Sequence, residues 1–114
     1  MRTYRAVNLN SLWFLIALSI LIFIITLLTG PYPIRINNPV VSLLGLHTTY
    51  FWHQPWTIIT NLFVHGGFSH IICNMISLYF LGRFLLQLVG AERFLIVYSL
   101  GGIVGNILFM LLEP

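Results

Sequence analysis

A continuous apolar run near the amino terminus limits the environments in which this chain can fold. Every residue from 12 to 29 is apolar or carries only a small hydroxyl group. A helix needs about 20 such residues to cross the hydrocarbon core of a bilayer. We therefore predict a first transmembrane helix over about residues 11–29. Gly30 is expected to end it in a left-handed cap, and Pro31 cannot continue it.

A secretory signal peptide is the alternative interpretation of this run. Arg2 and Arg5 precede it, as positive charges precede the apolar part of a signal peptide. That apolar part is usually shorter, however, and no cleavage site of small residues follows here. The residues therefore favour a retained span.

Two further apolar runs follow a long connection. One covers about residues 68–89 and the other about residues 91–112, and each is long enough to span a bilayer. The 68–89 run is interrupted by the polar residues His70, Asn74, Arg83 and Gln87. The sequence thus predicts an all-α membrane protein with three transmembrane helices, as one domain over residues 1–114. We expect the long first loop, residues 30–67, to lie at the outer membrane interface.

The composition excludes several other classes of protein. With 59% hydrophobic and 6% charged residues, the chain lacks the polar surface of a water-soluble globule. Its few charged side chains are too sparse for a surface that binds nucleic acid. The same composition is the opposite of that of a disordered chain. The single cysteine, Cys73, cannot form an intramolecular disulfide.

The arginines predict how the chain lies across the membrane. Arg2 and Arg5 precede the first span, whereas Arg83 and Arg93 flank the connection between the second and the third. Three spans place both regions on one side, which the positive-inside rule assigns to the cytoplasm. The 30–67 loop then faces outside, with its aromatic side chains at the headgroup level. These residues are Tyr32, Tyr50, Phe51, Trp52 and Trp56.

Polar residues inside a span are candidates for function, because placing them in lipid is costly. His70 and Asn74 are four residues apart, so they share one helix face, and Ser77 continues it. An imidazole and a carboxamide can each donate an N–H group, and two such donors can stabilise an oxyanion. Alternatively, both side chains hydrogen-bond to neighbouring helices. Spacing alone favours this second interpretation.

Metal ligation and an activated serine find less support. His65 and His70 lack the regular spacing of metal ligands, and no carboxylate or thiolate is near them in the sequence. His47 and His53 have no regular relation to this pair. We expect no metal and no cofactor. Furthermore, none of the serines lies in the G-x-S-x-G motif of a nucleophile elbow.

The third span carries a face of small residues. Gly101 and Gly105 form a G-x-x-x-G motif that lets another helix approach closely, and Asn106 can hydrogen-bond across the contact. We interpret this face as a packing surface. Within the chain, its candidate partners are the first two helices.

One continuous stretch resembles a known family. Residues 54–75 read QPWTIITNLFVHGGFSHIICNM, with an H-G-G-x-x-H-x-x-x-N pattern that begins at His65. This stretch resembles the rhomboid family of intramembrane serine proteases, and the likeness continues over residues 78–83 and 101–106. The resemblance implies a cytoplasmic amino terminus, a first loop in the outer leaflet and a glycine-rich third helix.

The resemblance also implies roles for single residues. His70 and Asn74 match the histidine and asparagine that help rhomboids to bind the oxyanion of the tetrahedral intermediate. This match favours the catalytic interpretation of the two side chains. His65 matches a histidine at the outer mouth with a structural or water-binding role, and Trp56 matches the tryptophan of the first loop.

Two positions depart from the family pattern. Thr57 stands where many members carry arginine, so the anchoring of the first loop is expected to be weaker. Leu86 and Gln87 replace a glutamate that is often found near the end of the second helix. This puts the usual inner hydrogen-bond network in doubt.

The catalytic dyad of the family is not among these residues. A rhomboid core has six helices, with the nucleophilic serine in a G-x-S-G motif of the fourth and a histidine base in the sixth. We therefore expect the amino-terminal portion of a peptidase that cleaves transmembrane segments, inactive by itself. The alternative is a non-catalytic rhomboid-like subunit of a membrane complex. In either case the expected partners are the bilayer and other transmembrane helices.

Overall fold

The computed structural model describes residues 8–112, except for the side chain of Tyr50. Arg2 and Arg5, on which the predicted orientation depends, lie outside these described residues, as do Glu113 and Pro114. Within residues 8–112 all regular structure is helical. The α-helices are α1 (Asn10–Leu28), α2 (Pro39–Leu44), α3 (Thr57–Thr60) and α4 (Phe68–Leu112), and 3-10 helices cover Thr48–His53 and Asn61–Phe63.

The bounds of helix α1 differ from those of the first predicted helix, 11–29, by one residue at each end, and the helix ends differently. Gly30 does not adopt a left-handed conformation; among the described residues Gly90 alone has a positive φ. Instead, the backbone N–H and the hydroxyl of Thr29 both donate to the Ile25 carbonyl, at 3.1 and 2.8 Å. Because these bonds satisfy a carbonyl that a helix end would leave unpaired, no glycine cap is needed.

The core forms where α1 packs against α4. Leu12, Leu15 and Ile16 are buried against Leu86 and Phe94. Leu12 and Phe94 are the most enclosed of these, at 0% and 1% exposed. Removing α1 would therefore expose the centre of the fold, so the packing supports a retained helix over a cleaved signal peptide. The buried Leu86 also makes this part of the core apolar.

Helix α4 is divided at Gly90. This residue has φ 84° and ψ 170°, a conformation that side-chain-bearing residues rarely adopt. A Cβ built on Gly82 would lie 3.2 Å from Cε1 of Phe94, twelve residues further along the chain. In a straight helix these residues would be about 18 Å apart along the axis. The segments 68–89 and 91–112 therefore fold back on each other as a hairpin with Gly90 at its turn.

Two of the helices, α1 and α4, are long and apolar enough to cross a membrane. In the most apolar 18-residue window of α4 no residue is buried, unlike the core helix of a soluble protein. Large apolar side chains such as Phe80, Leu88 and Leu100 are exposed along both segments of the hairpin. That each segment crosses the bilayer separately stays a prediction.

Short helices order the connection between α1 and α4. Asn38 caps α2, because its Oδ1 accepts the Val40 N–H at 2.9 Å, and its Nδ2 donates to the Thr26 carbonyl at 3.0 Å. Trp56 donates its indole N–H to the Leu43 carbonyl at 2.8 Å. These bonds tie α2 to the end of α1 and to the segment before α3.

Candidate functional site

An aromatic cluster fixes the start of α4. The Phe68 ring packs edge-on against Phe23 of α1, with ring centroids 5.2 Å apart, and against Tyr32 at 5.3 Å. The Tyr32 hydroxyl also accepts the Phe68 N–H at 3.4 Å. Because Phe23 is itself buried, the first turn of α4 and the residues before it are held against α1.

His70 is exposed in this first turn and is hydrogen-bonded on one side only. Its Nδ1 accepts the backbone N–H of Gly66 at 3.4 Å. This contact resembles a capping box, in which a side chain of the first turn reaches back to a free backbone N–H before the helix. Nε2 makes no hydrogen bond within the described residues and remains available to another group.

His65 stands beside His70 in a different environment. The two rings meet nearly at right angles, with centroids 5.1 Å apart. His65 is 4% exposed, and within residues 8–112 its Nδ1 has no hydrogen-bond partner. Burial lowers the pKa of His65 below its usual value, and His70 lowers it further, whereas the backbone of Phe63 acts in the opposite direction. His65 is therefore favoured in its neutral form.

A groove of about 400 Å³ lies between the two segments of the α4 hairpin. Its polar lining includes His65, Asn74 and Ser77, and its other lining residues include Tyr98 and Gly101. Asn74 is exposed, and its side chain makes no hydrogen bond within the described residues. His70 does not line this groove, but its ring contacts the ring of His65, which does. Of the two residues on the face predicted from spacing, Asn74 thus lines the groove and His70 lies outside its lining.

Asn106 has a different role, because both ends of its amide are paired. Its Nδ2 donates to the Ile58 carbonyl at 2.7 Å, and its Oδ1 accepts from Asn61 Nδ2 at 3.0 Å. Asn61 Oδ1 in turn accepts the Leu46 N–H at 3.0 Å. This network joins the second segment of the hairpin to the connection before α4. Asn61 was not predicted as a partner of this segment, because it lies in the connection, 45 residues before Asn106, and not in one of the first two helices.

The glycines of the same segment differ in their surroundings. Gly102 packs against Leu62, and a Cβ there would lie 2.5 Å from Leu62 Cγ. Gly101 and Gly105 have no atom within 4 Å of such a Cβ, so their G-x-x-x-G face remains open. As a packing surface for another helix it stays a prediction.

His70 and Asn74 can each donate an N–H group to an anionic oxygen, but they supply no nucleophile. Among the serines, Ser77 alone lines the groove. In residues 8–112 no three His, Cys, Asp or Glu side chains lie close enough to share a metal ion. The chemistry that this arrangement supports is therefore hydrogen bonding to a developing negative charge.

Comparison with known proteins gives consistent matches. A family model described as the Rhomboid domain matches residues 52–114. The Rhomboid-like protease 3 of Toxoplasma gondii is 31% identical over 104 residues, which cover 90% of this chain and 39% of that protein. The putative rhomboid protease YdcA of Bacillus subtilis is 39% identical over 59 residues, 52% of this chain and 30% of the relative.

A third relative is named as inactive. The Inactive RHOMBOID-like protein 8 of Arabidopsis thaliana is 36% identical over 59 residues, 52% of this chain and 17% of that protein. The chain thus spans 39% or less of the length of these three relatives. No solved structure matches it.

Proposed function

Because this chain belongs to the rhomboid family, we propose that it forms the oxyanion-binding part of an intramembrane serine peptidase that cleaves transmembrane segments. His70 and Asn74 would donate their N–H groups to the oxyanion. One observation carries this assignment: neither donor is used to hold the helices together, whereas Asn106 is paired at both ends. Free donors suit a role toward substrate better than a role in helix packing.

The chemical contribution of the two residues is to stabilise charge. As a nucleophile attacks a peptide carbonyl, negative charge grows on the oxygen, and donors that are already oriented stabilise it at little reorganisation cost. None of the serines of this chain lies in G-x-S-G. These residues by themselves are therefore expected not to hydrolyse peptides.

Complementation in proteoliposomes tests this proposal. The chain is co-reconstituted with a second polypeptide that carries a G-x-S-G span and a histidine-bearing span, and cleavage of a single-span reporter is measured. Cleavage should require both polypeptides. His70→Ala and Asn74→Ala should each lower kcat about 100- to 1,000-fold, the usual loss for one oxyanion donor.

The neighbouring exposed residue Cys73 offers a control. Cys73→Ser should leave kcat close to that of the unsubstituted chain, because this side chain is exposed and has no assigned role. If both donor variants turned over at the rate of this control, His70 and Asn74 would have no part in oxyanion binding.

A second candidate function is that of a non-catalytic membrane subunit. The similarity to a relative named as inactive favours it, as does the open face at Gly101 and Gly105. In a mild detergent the chain from its natural membrane should then elute as part of a larger complex. Gly101→Leu together with Gly105→Leu should release it, whereas a chain that is monomeric from the start would contradict this function.

A further inference from the structure

The contact between Gly66 and His70 identifies which ring nitrogen carries the proton. A backbone N–H can only donate, so Nδ1 of His70 must present its lone pair to Gly66. A neutral imidazole has one protonated nitrogen, and in this contact it must be Nε2. The contact with Gly66 therefore leaves His70 with an N–H donor on the side away from the backbone.

His65 limits the orientation of the same ring. Its imidazole is 4% exposed and meets the His70 ring at 72°, with 5.1 Å between centroids. An edge-to-face contact of this kind favours a narrow range of ring orientations. Since His65 is enclosed by the fold, its ring is a fixed packing surface for the His70 ring.

The backbone that follows His65 and Gly66 is fixed by hydrogen bonds. The Gly67 carbonyl accepts the Ile71 N–H at 3.1 Å, and the Phe68 N–H is bound by Tyr32. A Cβ on Gly67 would lie 3.3 Å from the Tyr32 hydroxyl, so the backbone passes close to that side chain. Gly66 is therefore held in position relative to the first turn of α4.

We propose that His65 and the backbone N–H of Gly66 are positioning groups for His70, which hold its ring as the Nε2–H tautomer in one orientation. The inference deepens the proposed function, since it rests on His70 acting as an oxyanion donor. Neither group would touch the substrate. Their effect is that the donor is correctly protonated and aimed before any carbonyl arrives, which is the condition for stabilising charge without reorganisation.

Nitrogen NMR of the chain in detergent micelles or nanodiscs tests the tautomer without any substrate. With ¹⁵N-labelled histidine, at a pH well above the ordinary imidazole pKa of about 6.5, His70 should show a protonated Nε2 and an unprotonated Nδ1. Assignment follows from the loss of this signal in His70→Gln. A proton found on Nδ1 of His70 in the unsubstituted chain would overturn the inference directly.

Gly66 allows a matched pair of variants. Gly66→Pro removes the N–H, and Gly66→Ala keeps it; Gly66 has no positive φ and nothing within 4 Å of an added Cβ. Gly66→Ala should retain the single tautomer, whereas Gly66→Pro should lose it and show a second population protonated on Nδ1. Equal spectra for the two folded variants would contradict the role of Gly66. If Gly66→Pro does not fold, the unsubstituted chain still decides, as above.

The packing of the His65 ring against His70 is tested by a second pair of variants. His65→Phe keeps a flat aromatic ring, and His65→Ala removes it. The ring protons of His70 should show a ring-current shift in the unsubstituted chain and in His65→Phe that is lost in His65→Ala. The same shift in all three would argue that His65 does not orient His70.

These outcomes are separable from those of the proposed function. A single Nε2–H tautomer combined with normal turnover of His70→Ala would remove the catalytic role and leave the positioning in place. Mixed tautomers combined with slow turnover of His70→Ala would remove the positioning and leave the catalytic role in place.

Discussion

Among the described residues, His65 is one of three side chains with a buried polar atom that makes no hydrogen bond, together with Ser11 and Ser19. It is almost fully enclosed, and its Nδ1 has no partner within the described residues. Protonation would place a positive charge in this enclosed position beside a second imidazole, that of His70. The fold therefore tolerates His65 as a neutral ring and is expected to resist its protonation.

The lowered pKa of His65 predicts that acid weakens the fold. Below the unfolded pKa of about 6.5, the unfolded chain binds a proton that the folded chain resists, so stability is retained above this pH and falls as the pH decreases below it. The slope for one proton is at most about 1.4 kcal/mol per pH unit. Thermal unfolding in detergent, followed by circular dichroism, should show a lower Tm at pH 5 than at pH 7.5.

A substitution identifies the responsible ring. His65→Phe should reduce this dependence on pH, because it removes the proton acceptor and keeps an aromatic ring in place. Ser69→Ala, at an exposed position nearby, should preserve it. If His65→Phe lost as much Tm on acidification as Ser69→Ala, another group would be responsible.

The paired amide of Asn106 predicts a loss of stability when this side chain is truncated. Asn106→Ala would remove the Asn106 partners of the Ile58 carbonyl and of Asn61 Nδ2, at an expected cost of about 1–2 kcal/mol. Ser99→Ala on the same segment removes an exposed hydroxyl and should change stability by less than about 0.5 kcal/mol. Chemical denaturation in mixed micelles measures both; equal values would show that the network contributes no net stability.

At the level of single residues, spacing predicted neighbours along one helix but not partners across the chain. The four-residue interval between His70 and Asn74 indicated a shared face, since helical geometry is local. Asn106 meets Ile58 and Asn61, which are 48 and 45 residues away. No local pattern contains such a contact, because it depends on where the α4 hairpin folds.

Among the elements, the α4 hairpin determines the shape of the site. Its turn is at Gly90, which has a positive φ, and its two segments are close together at Gly82 and Phe94. Leu12 of α1 also packs against Gly82, so this glycine contacts side chains of both α1 and the second segment of the hairpin. The groove that Asn74 lines runs along both segments, and Gly82 and Phe94 are also among its lining residues.

Two adjacent glycines predict how tightly the second segment must pack. Gly102→Ala would push a methyl group into Leu62, and we expect a loss of about 1–3 kcal/mol, as for other overpacked cores. Gly101→Ala meets no atom within 4 Å and replaces a poor helix former, so it should be neutral or stabilising by up to about 1 kcal/mol. Unfolding midpoints of the two variants in the same detergent test the difference. A larger loss for Gly101→Ala would refute this packing.

The helices were predictable to different degrees for physical reasons. Helix α1 has a higher mean hydropathy than α4, the other long helix among the described residues. Its bounds differed from the prediction by one residue at each end. Helix α2 was missed inside the 30–67 loop because six residues carry little periodicity. Its sequence nevertheless contains a local signal: Asn38 is a strong N-cap residue, and Pro39 fits the first helical position.

On the scale of the whole molecule, the distribution of apolar surface is that of a membrane protein, in agreement with its family. Side chains are buried where α1 meets α4, and many large apolar side chains on the remaining helix surfaces are exposed. His70 and Asn74 are also exposed on this chain. Since polar side chains are costly against lipid, we expect protein rather than acyl chains to cover them.

Membrane topology is the prediction that tests this arrangement as a whole. The 68–89 segment is about 33 Å long at 1.5 Å per residue, close to the thickness of the hydrocarbon core. Residue 52 and the Gly90 turn should therefore lie on opposite sides of the bilayer. In a Cys73→Ala background, Trp52→Cys and Glu92→Cys each provide one exposed thiol. A membrane-impermeant maleimide should label Trp52→Cys in intact bacterial cells and Glu92→Cys only after permeabilisation. Labelling of both in intact cells would mean that this segment does not span the membrane, and the reverse pattern would invert the orientation that the arginines predict.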